Sequence, residues 1–125
     1  AAWASLRQQV WEHGPPEVVL VISALDHDGL GRYGDPIAPD GDLLTMQWIR
    51  DELLQPPPGE ARDYNPLLVL SVPNHGVDAL VWNLRRIYGP LRLPRLLAGW
   101  EEVRAWGDGG SDTSAARSTD INDLL

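Results

Sequence analysis

Two short apolar runs constrain this chain more than any other feature. Val18 to Ala24 reads VVLVISA, and Leu67 to Val72 reads LLVLSV. Both are rich in β-branched and aliphatic residues, and neither alternates with polar positions. Such runs predict strands buried on both faces, as in a parallel sheet. A helix is expected between them, opened by Asp42 and running to about Leu54, with Leu43, Met46, Ile49 and Leu53 as its buried stripe. Strand, helix, strand in that order is the pattern of an α/β fold.

The remaining segments are read around this unit. Trp3, Leu6 and Val10 recur at helical spacing, with Trp11 widening the stripe, and Gly14-Pro15-Pro16 ends that helix. Gln55 to Pro66 is a polar connection. Ala79 to Tyr88 is ambiguous, and a helical or irregular start with an extended end at Arg86-Ile87-Tyr88 is expected. Gly89-Pro90 breaks it. Arg92 to Ala98 should be a short helix closed by Gly99, and Trp100 to Trp106 a further strand. Residues 1–106 thus form one α/β domain. Residues 107–125, dominated by Gly, Ser, Thr, Asp and Ala, form a tail that is flexible or docked on a partner.

Composition narrows the chemistry. With 43% hydrophobic residues the chain can build a core. It has no cysteine, which excludes disulfides, cysteine-ligated zinc, iron–sulfur clusters and a thiol nucleophile. A net charge of −8 disfavours nucleic acid and anionic membrane surfaces as partners. No apolar run approaches the roughly 18 residues of a membrane span, and no signal peptide is visible. The sequence opens on alanine rather than methionine, as a processed or excised piece would. No compartment can be assigned.

In open α/β sheets, ligands bind beyond the carboxyl ends of the strands. Two loops leave such ends here. Asp26 to Asp42 reads DHDGLGRYGDPIAPDGD, and it is long enough to suggest function. Asp26 and His27 directly follow the strand. His27 could act as a general base with Asp26 setting its tautomer, or could simply tie the loop backbone. Arg32 and Tyr33, between glycines, could bind an anionic or sugar-like acceptor; equally, Arg32 could pair with Asp35 or Asp28 and close the loop. Asn74, after the second strand, belongs on the same rim, and His75 beside it. A divalent cation among the aspartates and histidines is disfavoured, because the spacing is not that of a calcium loop. No metal is expected.

The strings DHDGLGRYGDPIAPDGDLLTMQWIR and VPNHGVDALVWNLRRIYGPLRLPRLLAGW resemble the two blocks of a domain-of-unknown-function family. Its first block reads E-H-x-G-L-G-R-Y-G-D-P, and its second ends in W-N-x-H-R-x-Y-G-P-x-R-L-P and a G-W pair. The resemblance covers roughly residues 18–106. It departs at Asp26 (usually Glu) and in the longer connection at residues 56–66. That family is similar to the C-terminal half of class I S-adenosylmethionine-dependent methyltransferases. The resemblance therefore implies a partial Rossmann-like sheet whose fourth, fifth and sixth strands would be VVLVISA, LLVLSVP and GWEEVRAW. It also adds Asn83 and Arg86 of the second block as rim or loop-locking groups, with Trp82 in the core.

Two functions follow as expectations. The chain is the acceptor-side half of a methyltransferase-like domain, with S-adenosylmethionine bound only if a further half is present. Alternatively, it is a non-catalytic interaction module within an assembly. The cofactor-binding glycine turn is missing: Gly29-x-Gly31-x-x-Gly34 does not open directly into a helix. Both functions call for another protein segment or subunit over the sheet edge.

Overall fold

The computed structural model describes residues 2–61, 64–105 and 107. Helix α1 spans Ala2–Glu12. Strand β1 spans Val18–Ile22, and a 3-10 turn covers Leu25–His27. Helix α2, Gly41–Trp48, continues as a π turn over Ile49–Leu53. Strand β2 is Leu67–Ser71, β3 is Ala79–Val81, β4 is Arg85–Ile87, and helix α3 is Arg92–Leu96. The result is a mixed helix-and-strand fold with two small open sheets.

β1 and β2 pair in parallel, with Val18 opposite Leu67 and Ile22 opposite Ser71. A strand's side chains alternate between faces. Val19, Val21, Leu68 and Leu70 therefore share one face, and it packs on the core. That core joins Leu25, Leu43, Met46, Leu68, Leu70, Val72, Tyr88, Leu93 and Leu96. A second cluster of Trp48, Ile49, Leu53 and Leu54 adjoins it through Val10, Val19 and Val21. The stripe expected on α2 is buried at all four positions, Leu43, Met46, Ile49 and Leu53.

The opposite face of the pair differs from expectation. Val18, Leu20 and Ile22 are 52%, 66% and 57% exposed. β1 is thus covered on one side only among the described residues. A continuous apolar run shows that both faces are suited to burial, but not that this chain supplies both covering layers.

α1 docks on the end of the π turn by satisfying carbonyls that a helix terminus leaves bare. Arg7 donates to Glu52 O at 2.8 Å and Gln55 O at 2.7 Å, and Trp11 Nε1 donates to Leu53 O at 2.7 Å. Trp3 lies against Trp48 with ring centroids 5.0 Å apart.

Two further segments depart from the sequence expectations. Residues 79–87 form an antiparallel hairpin, with Ala79 opposite Ile87, rather than a helical start. Leu84 N–H donates to Val81 O, and Asn83 holds the left-handed conformation (φ 62°) that the turn needs. Trp82 sits on this turn and is 63% exposed, not in the core. Residues 100–105 form no strand, and Trp106 lies outside the described residues. The expected tail also lies outside them, except Gly107.

No helix among the described residues is long and apolar enough to cross a membrane.

Candidate functional site

Parallel pairing puts the carboxyl ends of β1 and β2 on one rim. Tyr88 N–H donates to Pro73 O at 2.9 Å, and Asn74 bridges to Tyr88, so the chain beyond β4 joins that rim. A cleft of about 550 Å³ opens at the end of β1. Its walls include Val21, Ser23, Leu25, His27, Asp28, Tyr33, Asp35, Thr45 and Ile49. The volume lies within the usual range for small-molecule sites. Ser23, at the strand end, has φ 51°, a left-handed value uncommon outside glycine.

The loop forming the outer wall is held from beneath. Arg86 is 3% exposed. Its guanidinium donates to the carbonyls of Leu25 (3.4 Å), Asp28, Ala38 (3.2 Å) and Pro39 (3.0 Å). Its Nε lies 3.6 Å from Asp42 Oδ2. A planar fork with five N–H groups can gather several carbonyls in this way, where a lysine could not.

Asp42 is fully buried beside it. Its Oδ2 accepts from Tyr88 Oη at 2.7 Å and Arg92 Nε at 3.0 Å, and its Oδ1 from Arg92 Nη2 at 2.6 Å. Burial pushes this carboxyl up. Hydrogen bonds from Arg92 and Tyr88, with the charges of Arg86 and Arg92, outweigh that and hold it below the ordinary carboxylate range. Burial and the adjacent Asp42 charge push the Tyr88 phenol well above its usual value. Asp42 was expected to cap a helix; it instead anchors this buried network.

Gly29 meets a second steric demand. Its φ is 80°, and a Cβ there would run into the Ala38 carbonyl oxygen. Ala38 N–H donates to Gly29 O at 2.8 Å, and Gly29 N–H to Asp35 Oδ2 at 2.8 Å. Burial raises the Asp35 carboxyl, but backbone N–H donors, Gly29 first among them, bring it below its ordinary value.

The residues nominated from the sequence fall into distinct places. His27 faces the cleft, with its side chain 25% exposed. Nδ1 lies 2.5 Å from Leu84 O, and Nε2 lies 3.4 Å from Asp26 Oδ2. With Nδ1–H donating to the carbonyl, Nε2 points at the buried carboxylate rather than straight into the cleft. Asp26 itself is 2% exposed, and its Oδ1 has no hydrogen-bond partner. Tyr33 lines the cleft and meets the His27 ring edge-on, with centroids 5.8 Å apart.

Arg32 projects outward with its guanidinium 5.9 Å from the Tyr33 ring. It makes no ion pair among the described residues. Asn74 is buried, its Oδ1 accepting from Gly76 N–H at 3.0 Å, while His75 is exposed. Asn83 stands on the hairpin turn, and Arg86 lies under the loop rather than in the cleft. Among the described residues, no group of three His, Asp or Glu side chains could hold a metal ion.

Two cleft residues were not singled out from sequence as a pair: Asp28 and Thr45. Thr45 Oγ1 donates to Asp28 Oδ2 at 2.5 Å. Asp28 is legible in the sequence beside His27 at the strand end and as a possible partner of Arg32, but not as a partner of Thr45. Thr45 lies on α2, and only the fold brings the two together.

Residues 13–123 match a family model described as Caenorhabditis protein of unknown function, DUF268. No curated protein and no solved structure matches the chain.

Proposed function

The chain belongs to the DUF268 family, and from that premise we propose that it is the acceptor-side half of a methyltransferase-like domain. The carrying observation is the cleft where β1 ends, walled by His27, Asp28, Tyr33 and Thr45 at the carboxyl rim of a parallel pair. That is where open α/β sheets bind ligands. Asp28, oriented by Thr45, is the polar group an acceptor meets there, beside the ring of His27, which is fixed through Nδ1. Asp26 positions the His27 ring from behind.

The described residues do not themselves fit S-adenosylmethionine. Gly29 and Gly31 are turn residues, and α2 begins only at Gly41. Gly29 packs against the Ala38 carbonyl and leaves no backbone cradle for a ligand. The methyl donor therefore has to be gripped by other polypeptide, and no chemical step is assigned to it here. Calorimetric titration of S-adenosylmethionine into the natural full-length protein tests the proposal. Saturable binding, with turnover lost in His27→Ala and the fold retained, supports it. An intact fold without binding removes it.

The second reading is a non-catalytic interaction module. One observation favours it: the apolar outer face of β1 is exposed, and its outer edge is unpaired among the described residues. Parallel strands are rarely left uncovered on one side, and bare edges invite pairing. A covering protein segment is common to both readings.

A further inference from the structure

We infer that the cleft at the end of β1 takes a small ligand with a cationic nitrogen on an apolar body, the nitrogen seated on Asp28. This rests on the cleft being the ligand site proposed above, and it names the class of ligand. Asp28 Oδ2 is engaged by Thr45 Oγ1, and no other side-chain partner for the carboxylate occurs among the described residues. Asp28 is only half-buried and lines the cleft. A hydroxyl on one oxygen fixes the carboxylate plane and leaves the other available to a donor in the cleft.

The surroundings select against other charges. Val21, Leu25 and Ile49 give an apolar wall. Asp35 is a second carboxylate in the lining, and neither arginine nor lysine lines the cleft. His27 is the one lining group able to carry positive charge, and its nitrogens face Leu84 O and Asp26. An anionic ligand would meet the Asp28 carboxylate, with no arginine or lysine in the lining to offset it. A neutral ligand of the same shape would keep the apolar wall but lose the charge-assisted hydrogen bond. The Tyr33 ring already draws the Arg32 guanidinium on its outer side, so the ligand's body belongs against the aliphatic wall.

Three probes of one shape test this: phenethylammonium, 2-phenylethanol and phenylacetate, each titrated into the full chain and followed by backbone amide NMR. The ammonium should shift Asp28, Tyr33 and Thr45 signals saturably. The alcohol should bind about tenfold more weakly, the size of one charge-assisted hydrogen bond, and the acetate should leave these signals in place. Asp28→Asn keeps an acceptor for Thr45 and should erase the preference for ammonium over alcohol. Acetate binding as tightly as ammonium, shifts confined to other parts of the chain, or an Asp28→Asn protein that still prefers ammonium would each overturn the inference. If that variant does not fold, the three-probe comparison on the parent decides alone. S-adenosylmethionine is titrated separately. Its failure with ammonium binding intact removes the methyltransferase reading only; the reverse result removes this inference only.

Discussion

Replacing Arg86 by methionine isolates the contact that holds the loop over the cleft. The side chain is 3% exposed, so its interactions are little screened by solvent. Methionine matches the aliphatic stem but removes every donor. Four carbonyls, of Leu25, Asp28, Ala38 and Pro39, lose a charged partner. Asp42 keeps Arg92 and Tyr88 but loses the second buried cation. Removing one member of a buried charged network typically costs about 3–5 kcal/mol, because the remaining groups stay desolvated without their partner.

With a urea slope of about 2 kcal/mol per molar, the denaturation midpoint should fall by roughly 2 M. Arg86→Lys keeps the charge but not the fork and should fall between the two. Amide exchange should quicken at Asp28 and Ala38, whose N–H groups bond within the held loop. A methionine variant within about 0.5 M of the parent midpoint, or with unchanged exchange at those amides, would refute the locking role.

Four other outcomes are expected. Gly29→Ala should destabilise by about 2 kcal/mol or more in urea titration, since it adds the left-handed penalty to a collision with the Ala38 carbonyl. Tyr88→Phe should cost about 1.5–3 kcal/mol, the worth of a hydrogen bond to a buried carboxylate. The Asp42 carboxyl sits below its unfolded value, so its contribution is complete above about pH 4 and lost as pH falls through the folded value. The acid limb of stability against pH should therefore be shallower in Asp42→Asn, though Asp35, Asp51 and Asp78 are also lowered and keep part of it. Leu20→Glu, on the exposed face of β1, should change stability by less than about 0.5 kcal/mol. On the interaction-module reading it should also abolish association through that face, read by light scattering after size-exclusion chromatography.

The elements legible in the sequence are those marked by an unbroken apolar run or a sustained helical spacing. The apolar runs located both strands, and the Leu43, Met46, Ile49 and Leu53 spacing located α2 with its π continuation. The hairpin was harder to see because each strand has three residues. Its turn residue, Asn83, also lacks the glycine that usually accompanies it. Trp100 to Val103 has strand-like residues, but this segment joins neither of the two sheets among the described residues. Among the site residues, strand-end position pointed to His27. The burial of Arg86 and the meeting of Asp28 with Thr45 depend on contacts between distant segments, which local pattern does not carry.

The exposed apolar face of β1 and the cleft occupy different parts of the strand pair. Val19 and Val21 face inward on the core, while Val18, Leu20 and Ile22 face outward. The cleft lies past the strand end, its wall held by Arg86 from the β4 side. A polypeptide laid over the outward face would extend the sheet or cap it without displacing Asp28, Thr45 or the Arg86 contacts. Association and ligand binding should thus be separable: Leu20→Glu should abolish the first and spare phenethylammonium binding, and Asp28→Asn should do the reverse. If Leu20→Glu also removed amine binding, the covering polypeptide would have to contribute to the cleft itself, and the site would be shared between two segments rather than built by this chain.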